Sequence, residues 1–417
     1  MEITVKLKQH TPMIHFQWYQ SGATLRATEL KPKLDRFLKE KNINSIKDYF
    51  GEKGNLPYKL VVTATNKDTS VVEIEKVKKD KYGKVKRETI PTFFGNIRAT
   101  EEENANETKG KKPVPYKFVL YNNVELKFIS FIPKIIEEIE KNLPEFLFVT
   151  NFGARQSKGF GSFYIDPSEQ LYKDPKDFAK YYFTLNITKN ELYEKYKELF
   201  EYIDLFYRTL RSGINIKDRF YFKSIMFLYA KSMNWTWDKK AIKEKFISKE
   251  ELKRQKGEHN HPDVLTFKGE KEYLVRDLLG VASFQAYKSY NFDLQYDKGN
   301  EIERFKSPIT FKPILSEDKD STKFTVYLIL NPIPDDIFDK EFKINKTRGH
   351  LELDSITLRT PPQGKFDIEK YLESALATNI CRHVDKKFQN DWRFKVIKCI
   401  YSQLKAQLKR GVGNDGK

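Results

Sequence analysis

Residues 132–167 read IPKIIEEIEKNLPEFLFVTNFGARQSKGFGSFYIDP, and three kinds of segment follow one another there. Pro133 suits a first helical turn, and Ile135, Ile136, Ile139 and Leu143 recur at helical spacing, so IPKIIEEIEKNLP predicts a helix with one apolar face. NFGARQSKGFGSF, residues 151–163, sets Gly153, Gly159 and Gly161 among Arg155 and Lys158 and predicts a loop. SFYIDP predicts a short strand ending before Pro167.

Upstream, EITVKLKQHTPMIHFQ is strand-like with a Thr11-Pro12 interruption, and ATELKPKLDRFLKEK predicts a helix with Thr28 as a plausible N-cap. YKLVVTATN is rich in β-branched residues, and TSVVEIEKVKKDKYGKVKRETIP predicts a polar hairpin turning at Tyr82-Gly83. ATEEENANETKGKKPVP, residues 99–115, has no apolar periodicity and reads as a solvated or disordered loop. YKFVLYNNVELKFISF is extended again. With the hairpin set aside, the order is strand, helix, strand, strand, helix, strand, which is the split βαβ of a ferredoxin-like domain. The glycine loop lies between its second helix and last strand.

The second half suggests the same scheme with heavier helices. AKYYFTLNIT is strand-like, and NELYEKYKELFEYIDLFYRTLRSG predicts a helix with Leu192, Leu199, Ile203, Phe206 and Leu210 on one side and Gly213 as its stop. DRFYFKSIMFLYAKSMNWTWDKKAIKEKF predicts one further helix, and SKEELKRQKGEHNHPD a charged connector. VASFQAYKSYNFD, RFKSPITFKPIL and KFTVYLILNP predict strands; DIEKYLESALATNI and KFQNDWRFKVIKCIYSQLKAQLKR predict helices. The expected fold class is α+β: two ferredoxin-like domains in tandem, 1–170 with an insertion at 67–115, and 171–417 enlarged by helices.

Charge points to a partner. Against 58 Asp and Glu stand 76 Lys and Arg, a formal +18, and 14% of residues are aromatic. Counterion release draws such a surface to nucleic acid, and aromatic rings offer stacking faces for bases; a lysine- and tyrosine-rich coding bias is the other source of this composition. Cys381 and Cys399 cannot build a disulfide framework, the start lacks a signal-peptide pattern, and no apolar run reaches about eighteen residues. A cytoplasmic location without membrane insertion is expected.

The loop spacing matches neither a Walker A loop nor a dinucleotide GxGxxG, so no nucleotide cofactor is expected. Glycines let backbone N–H groups approach phosphate oxygens while Arg155 and Lys158 add charge and Phe152 or Phe160 stack or pack; a tight helix-to-strand turn is the alternative. Arg26 and Lys31 stand near a helix start, where positive charge opposes the helix dipole, which favours an anionic partner over ordinary surface charge. Lys31 and Asp35 share a face. His10 and His15 are candidate general acids or bases in RNA cleavage, but no orienting partner is visible, and a structural role is the other reading. His259 and His261 lack further ligands to complete a metal shell and are read as solvated, so no metal is expected.

Together the Thr11-Pro12 break, LRATELKPKLDRF and FGARQSKGFGSF resemble the RAMP superfamily of CRISPR effector proteins. RDLLGVASF (276–284) and RFKSPITFKPI (304–314) are similar to the carboxy-terminal domain of the family of first Cmr subunits in type III-B systems, and FFGNIR (93–98) resembles a Phe-Gly step of that family. The resemblance implies two RNA-recognition-motif-like domains. It implies a non-catalytic RNA-binding subunit of an antiviral ribonucleoprotein, with guide RNA, target RNA and other Cmr-type effector subunits as partners. Its RNA-binding positions fall on Arg26, Lys31, Gly153, Arg155, Lys158, Gly159, Gly161 and Arg304. Asp35 stands where the family has arginine and Pro32 where it has glycine. The alternative within the superfamily is a metal-independent endoribonuclease that processes guide precursor RNA, with His10 or His15 as general acid.

Overall fold

A computed structural model describes residues 1–13, 24–65, 70–74, 77–79, 85–87, 116–121, 123–216, 219–256, 266–281, 284–287, 292–297, 305–318, 321–348 and 351–411. Its strands and helices mix in an α+β arrangement, and each follows from local sequence. Alternation drives β1 (Glu2–Gln9), whose Val5 and Leu7 are buried. In α1 (Ala27–Glu40), Leu30, Leu34 and Leu38 form the buried stripe. This helix starts before Thr28: its N-cap is Arg26, with no side-chain cap bond, which corrects the expected cap.

β2 (Lys59–Thr65) precedes the insertion, in which β3 (Ser70–Ile74), β4 (Val77–Lys79), β5 (Val85–Arg87) and β6 (Tyr116–Leu120) are described. β4 and β5 pair antiparallel from Val77↔Arg87 to Lys79↔Val85, and β3 pairs with β6; the expected turn at Tyr82-Gly83 lies outside the described residues. The segments 99–115 and 93–98 lie outside the described residues. β7 (Asn123–Ile129) alternates buried Val124, Leu126 and Phe128 with half-exposed positions.

α2 (Pro133–Val149) buries Ile135, Ile136, Ile139 and Leu143 as predicted. It does not stop at Pro144 but continues one more turn. Phe146, Leu147 and Phe148 are all buried, and that apolar burial outweighs the one backbone bond a proline removes. β8 (Phe163–Ile165) is fully buried. The sheet runs β2-β7-β1-β8 with every pairing antiparallel, and α1 and α2 pack on it. That is the split βαβ order read from the first part of the sequence.

Next come β9 (Tyr181–Ile187) and α3 (Leu192–Arg211), whose Leu199, Ile203, Phe206 and Leu210 are buried while Leu192 is half-buried. Gly213, at φ +71°, ends the helix by returning its N–H to Arg208 O, as its sequence position suggests. The stretch 218–246 is not one helix. It divides into β11 (Phe220–Phe222), which pairs with β10 (Ile214–Ile216), then α4 (Ile225–Ser232), β12 (Trp235–Trp237) and α5 (Asp238–Phe246). Ser224 caps α4 through its hydroxyl, and Asn234 at φ +56° breaks the chain after it. Half of the expected charged connector is helical, as α6 (Lys249–Lys256).

β13 (Lys271–Tyr273), β14 (Phe284–Tyr287), β15 (Phe292–Asp297), β16 (Ile309–Asp318), β17 (Ser321–Leu330), β18 (Glu341–Arg348) and β19 (Leu351–Arg359) follow, then α7 (Ile368–Ala377) and α8 (Trp392–Gly411). One sheet has the order β12-β13-β19-β18-β15-β14 and another β16-β17-β9. Backbone contacts divide the chain into two units, Met1–Glu201 with Phe311–Leu328, and Tyr202–Thr310 with Ile329–Lys417. The first unit therefore reaches past residue 170 and takes in a strand pair from far along the chain, because β17 pairs with β9 from Thr322↔Ile187 to Leu328↔Tyr181.

Candidate nucleic-acid interface

In the first unit the glycine loop runs from the end of α2 to β8, with a single 3₁₀ turn at Gln156–Lys158 inside it. Its backbone is shaped by positive φ at four positions: Gly153 at +78°, Arg155 at +58°, Gly159 at +91° and Gly161 at +66°. Gly161 has the strictest need. A Cβ there would sit 1.9 Å from Phe152 O, closer than any side chain tolerates.

The loop amides are engaged within the chain. Gly153 N donates to Glu29 Oε1 at 2.7 Å, Gly159 N to Gln156 O at 3.1 Å, and Gly161 N to Pro12 O at 2.9 Å. So these three glycine amides are engaged within the chain and help to close the turn. The two phenylalanines pack: Phe152 and Phe160 are fully buried, Phe160 stacked on Phe200 with centroids 3.7 Å apart. Ala154 is exposed, and Gly153, Arg155, Gln156, Ser157 and Lys158 are all half-buried.

Thr11 explains the break in the first strand. Its hydroxyl donates to Gly159 O at 2.7 Å and accepts from Ser162 N at 2.9 Å, and His10 N donates to Ser162 O, so β1 ends by holding the loop. Asn151 Nδ2 donates to Gln156 O and to Phe311 O, both at 2.8 Å. Lys33 reaches Glu29 Oε1 and Asn151 O and lies over the Phe152 ring. Sequence reasoning missed Thr11, Glu29, Asn151, Ser162 and Lys312 as partners of the loop. Thr11 carried a signal, a Thr-Pro break in an otherwise regular strand; Asn151 and Ser162 are polar residues at the two ends of the loop itself, and Glu29 and Lys312 lie far away in the chain.

Of the other expected positions, Lys31 donates to Asp35 Oδ2 at 2.8 Å and to Leu56 O at 2.9 Å, with its nitrogen over the Tyr58 ring. The Asp35 carboxylate is thus an anionic partner of Lys31 within the chain. Arg26 is half-exposed at the N-cap of α1. Arg304, His15, His259 and His261 lie outside the described residues. His10 is buried; its Nδ1 accepts the N–H of Leu315 at 3.0 Å, and burial, then the Lys312 and Lys8 charges, push its pKa well below the ordinary value. A general acid must touch its substrate, and in this structure the imidazole is enclosed, with Nδ1 taken by Leu315 N–H.

RDLLGVASF falls in the second unit on a 3₁₀ turn at Arg276–Leu279. There Arg276 Nε meets Asp238 Oδ2 at 2.5 Å, and Arg211 Nη2 meets Asp277 Oδ1 at 3.0 Å, all four residues buried or nearly so. Burial pushes the Asp277 carboxyl up to about 6, opposed by the Arg211 charge. The segment is an internal ion-paired staple. Among the described residues no cluster of His, Cys, Asp and Glu could hold a metal, and no helix is long and apolar enough to cross a membrane.

Comparison with known proteins gives two family matches: a model of the Cmr1 N-terminal domain over residues 1–214, and a model of the Cmr1 C-terminal domain over residues 221–405. The chain is similar to one in the cryo-EM structure of the Type III-B Cmr-beta bound to cognate target RNA, at 13% identity and TM-score 0.25, covering 40% of this chain and 58% of that one. It is also similar to the crystal structure of Cmr1 from Pyrococcus furiosus in its apo form, at 10% identity and TM-score 0.37, covering 82% and 91%. The chain thus spans 58% of the length of the Cmr-beta chain it matches. No curated protein matches.

Proposed function

As the chain belongs to the Cmr1 family, RAMP proteins of type III-B CRISPR systems, we propose that it is an RNA-binding subunit of a Cmr-type effector ribonucleoprotein, holding guide or target RNA without cutting it. Other Cmr-type subunits are its partners in this reading. The tandem of two ferredoxin-like domains belongs to the same proposal, supported by separate amino- and carboxy-terminal family domains and by the split βαβ sheet of the first unit.

The observation that carries the reading is Arg155 at φ +58° within the glycine loop. A left-handed backbone costs an arginine about 1 kcal/mol that glycine avoids, and strain of this kind collects at functional positions. Three neighbouring turns are met by glycine; this one holds a guanidinium, three residues before Lys158. Arginine and lysine presented together suit phosphate oxygens, the sequence-independent part of RNA recognition.

The test is single-stranded RNA binding as a function of salt for the wild type and for Arg155→Ala with Lys158→Ala. On single strands each phosphate contact contributes about 0.7 to the slope of log K against log salt, so the double variant should lower the slope by about 1.4. Superimposable curves would remove the loop from the interface. Repeat RNA incubated with the protein in EDTA should be recovered whole; a discrete cleavage product would overturn the non-cutting part.

A further inference from the structure

The segment Phe311–Leu315, about 150 residues beyond the glycine loop in the chain, makes five hydrogen bonds around it within the first unit, three to residues 151–163 and one each to Thr150 and His10. Phe311 O accepts from Asn151 Nδ2 at 2.8 Å, Pro313 O accepts from Ser162 Oγ at 2.7 Å, and Leu315 N donates to His10 Nδ1 at 3.0 Å. The remaining two bonds come from one side chain. Lys312 Nζ donates to Thr150 O at 2.8 Å and to Phe163 O at 2.9 Å, the residue just before the loop and the last residue of its glycine-rich stretch. The Lys312 side chain is fully buried.

A lysine is a costly way to fill such a space. Burial disfavours the ammonium and pushes the Lys312 pKa well below the ordinary value, with the Lys33 charge adding to the effect. Leucine or methionine would fill similar volume without that cost, but neither supplies donors, and the Thr150 and Phe163 carbonyls would lose this partner inside the protein. The two carbonyls thus share one nitrogen, Lys312 Nζ, as their donor.

We propose that Lys312 is the positioning residue of the glycine loop, tying its two ends together from β16 so that Arg155 and Lys158 are presented as a pair. The proposal rests on the reading of that loop as an RNA-contacting surface. It makes the interface composite, with its basic pair written in the first 170 residues and its brace written near residue 312.

Lys312→Met in the full chain is the test, read by amide hydrogen exchange at Gly153, Gly159 and Gly161 and by RNA affinity against salt. The expected result is a folded protein whose loop amides exchange at least tenfold faster and whose RNA affinity falls at least fivefold, with a shallower salt slope. Lys312→Gln, which supplies two N–H donors on a shorter stem, should recover part of both losses and serves alone if the methionine variant does not fold. Wild-type exchange at the loop in a folded Lys312 variant would overturn the positioning role. Faster loop exchange with unchanged RNA binding would leave that role standing and overturn the RNA reading instead.

Discussion

Gly161 and Gly364 share a positive φ, +66° and +78°, yet a Cβ meets Phe152 O at 1.9 Å at the first and nothing within 4 Å at the second. Gly364→Ala should therefore cost only the backbone penalty of about 1 kcal/mol, while Gly161→Ala should cost at least 2 kcal/mol more as the loop is forced apart; denaturant titration separates them. Arg155→Gly should do the reverse of most substitutions, leaving stability unchanged or raised by up to about 1 kcal/mol while weakening RNA binding. His10 sets a pH dependence. Its folded pKa lies well below the unfolded 6.5, so the unfolded chain takes up the proton first and stability is lost as pH falls below about 6.5. Stability should therefore fall as the pH is taken from 7 to 5, and His10→Gln should flatten that part of the pH–stability curve read by denaturant titration. The glycines and the two basic residues were legible in the sequence because their types declare backbone freedom and charge. Which amides were already satisfied was not, since the acceptors Glu29 and Pro12 lie more than 100 residues away.

Periodicity located most of the elements, and it failed where a neighbour decided the outcome. Phe227, Trp235, Trp237 and Ile242 make 218–246 look like one apolar helix, but Trp235–Trp237 pairs in parallel with Lys271–Tyr273 and becomes a strand. Gly269 permits that approach, its Cβ position lying 2.3 Å from Asn234 O. The β18–β19 hairpin did carry a period-two signal, with Phe342 and Ile344 fully buried, and its many charged residues obscured it. The 3₁₀ turn at Arg276–Leu279 offers a test of an element held by buried charge. Arg276→Met leaves Asp238 enclosed without its partner and should destabilise by about 3–5 kcal/mol. Adding Asp238→Asn should return part of that loss, because the stranded carboxylate is then gone; a double variant as unstable as the sum of the single ones would show that the pair is not coupled.

For the whole chain, the +18 net charge makes affinity for polyanions strongly salt-dependent even where no single residue dominates. Binding of unrelated single-stranded RNAs should weaken together as salt rises, and equal affinity at 50 mM and 200 mM salt would contradict an electrostatic interface. The α+β class, the βαββαβ order of the first unit and the glycine loop between α2 and β8 were all determined by the order of residues, because alternation, helical spacing and turn residues are local signals. The membership of β16 and β17 in the first unit, the enclosure of His10, and the brace of Lys312 on Thr150 and Phe163 were decided by tertiary folding alone. The reason is physical: hydrogen bonds between segments 150 to 300 residues apart leave no periodic trace in either segment, and a lysine that will be buried is written with the same letter as one that will face water.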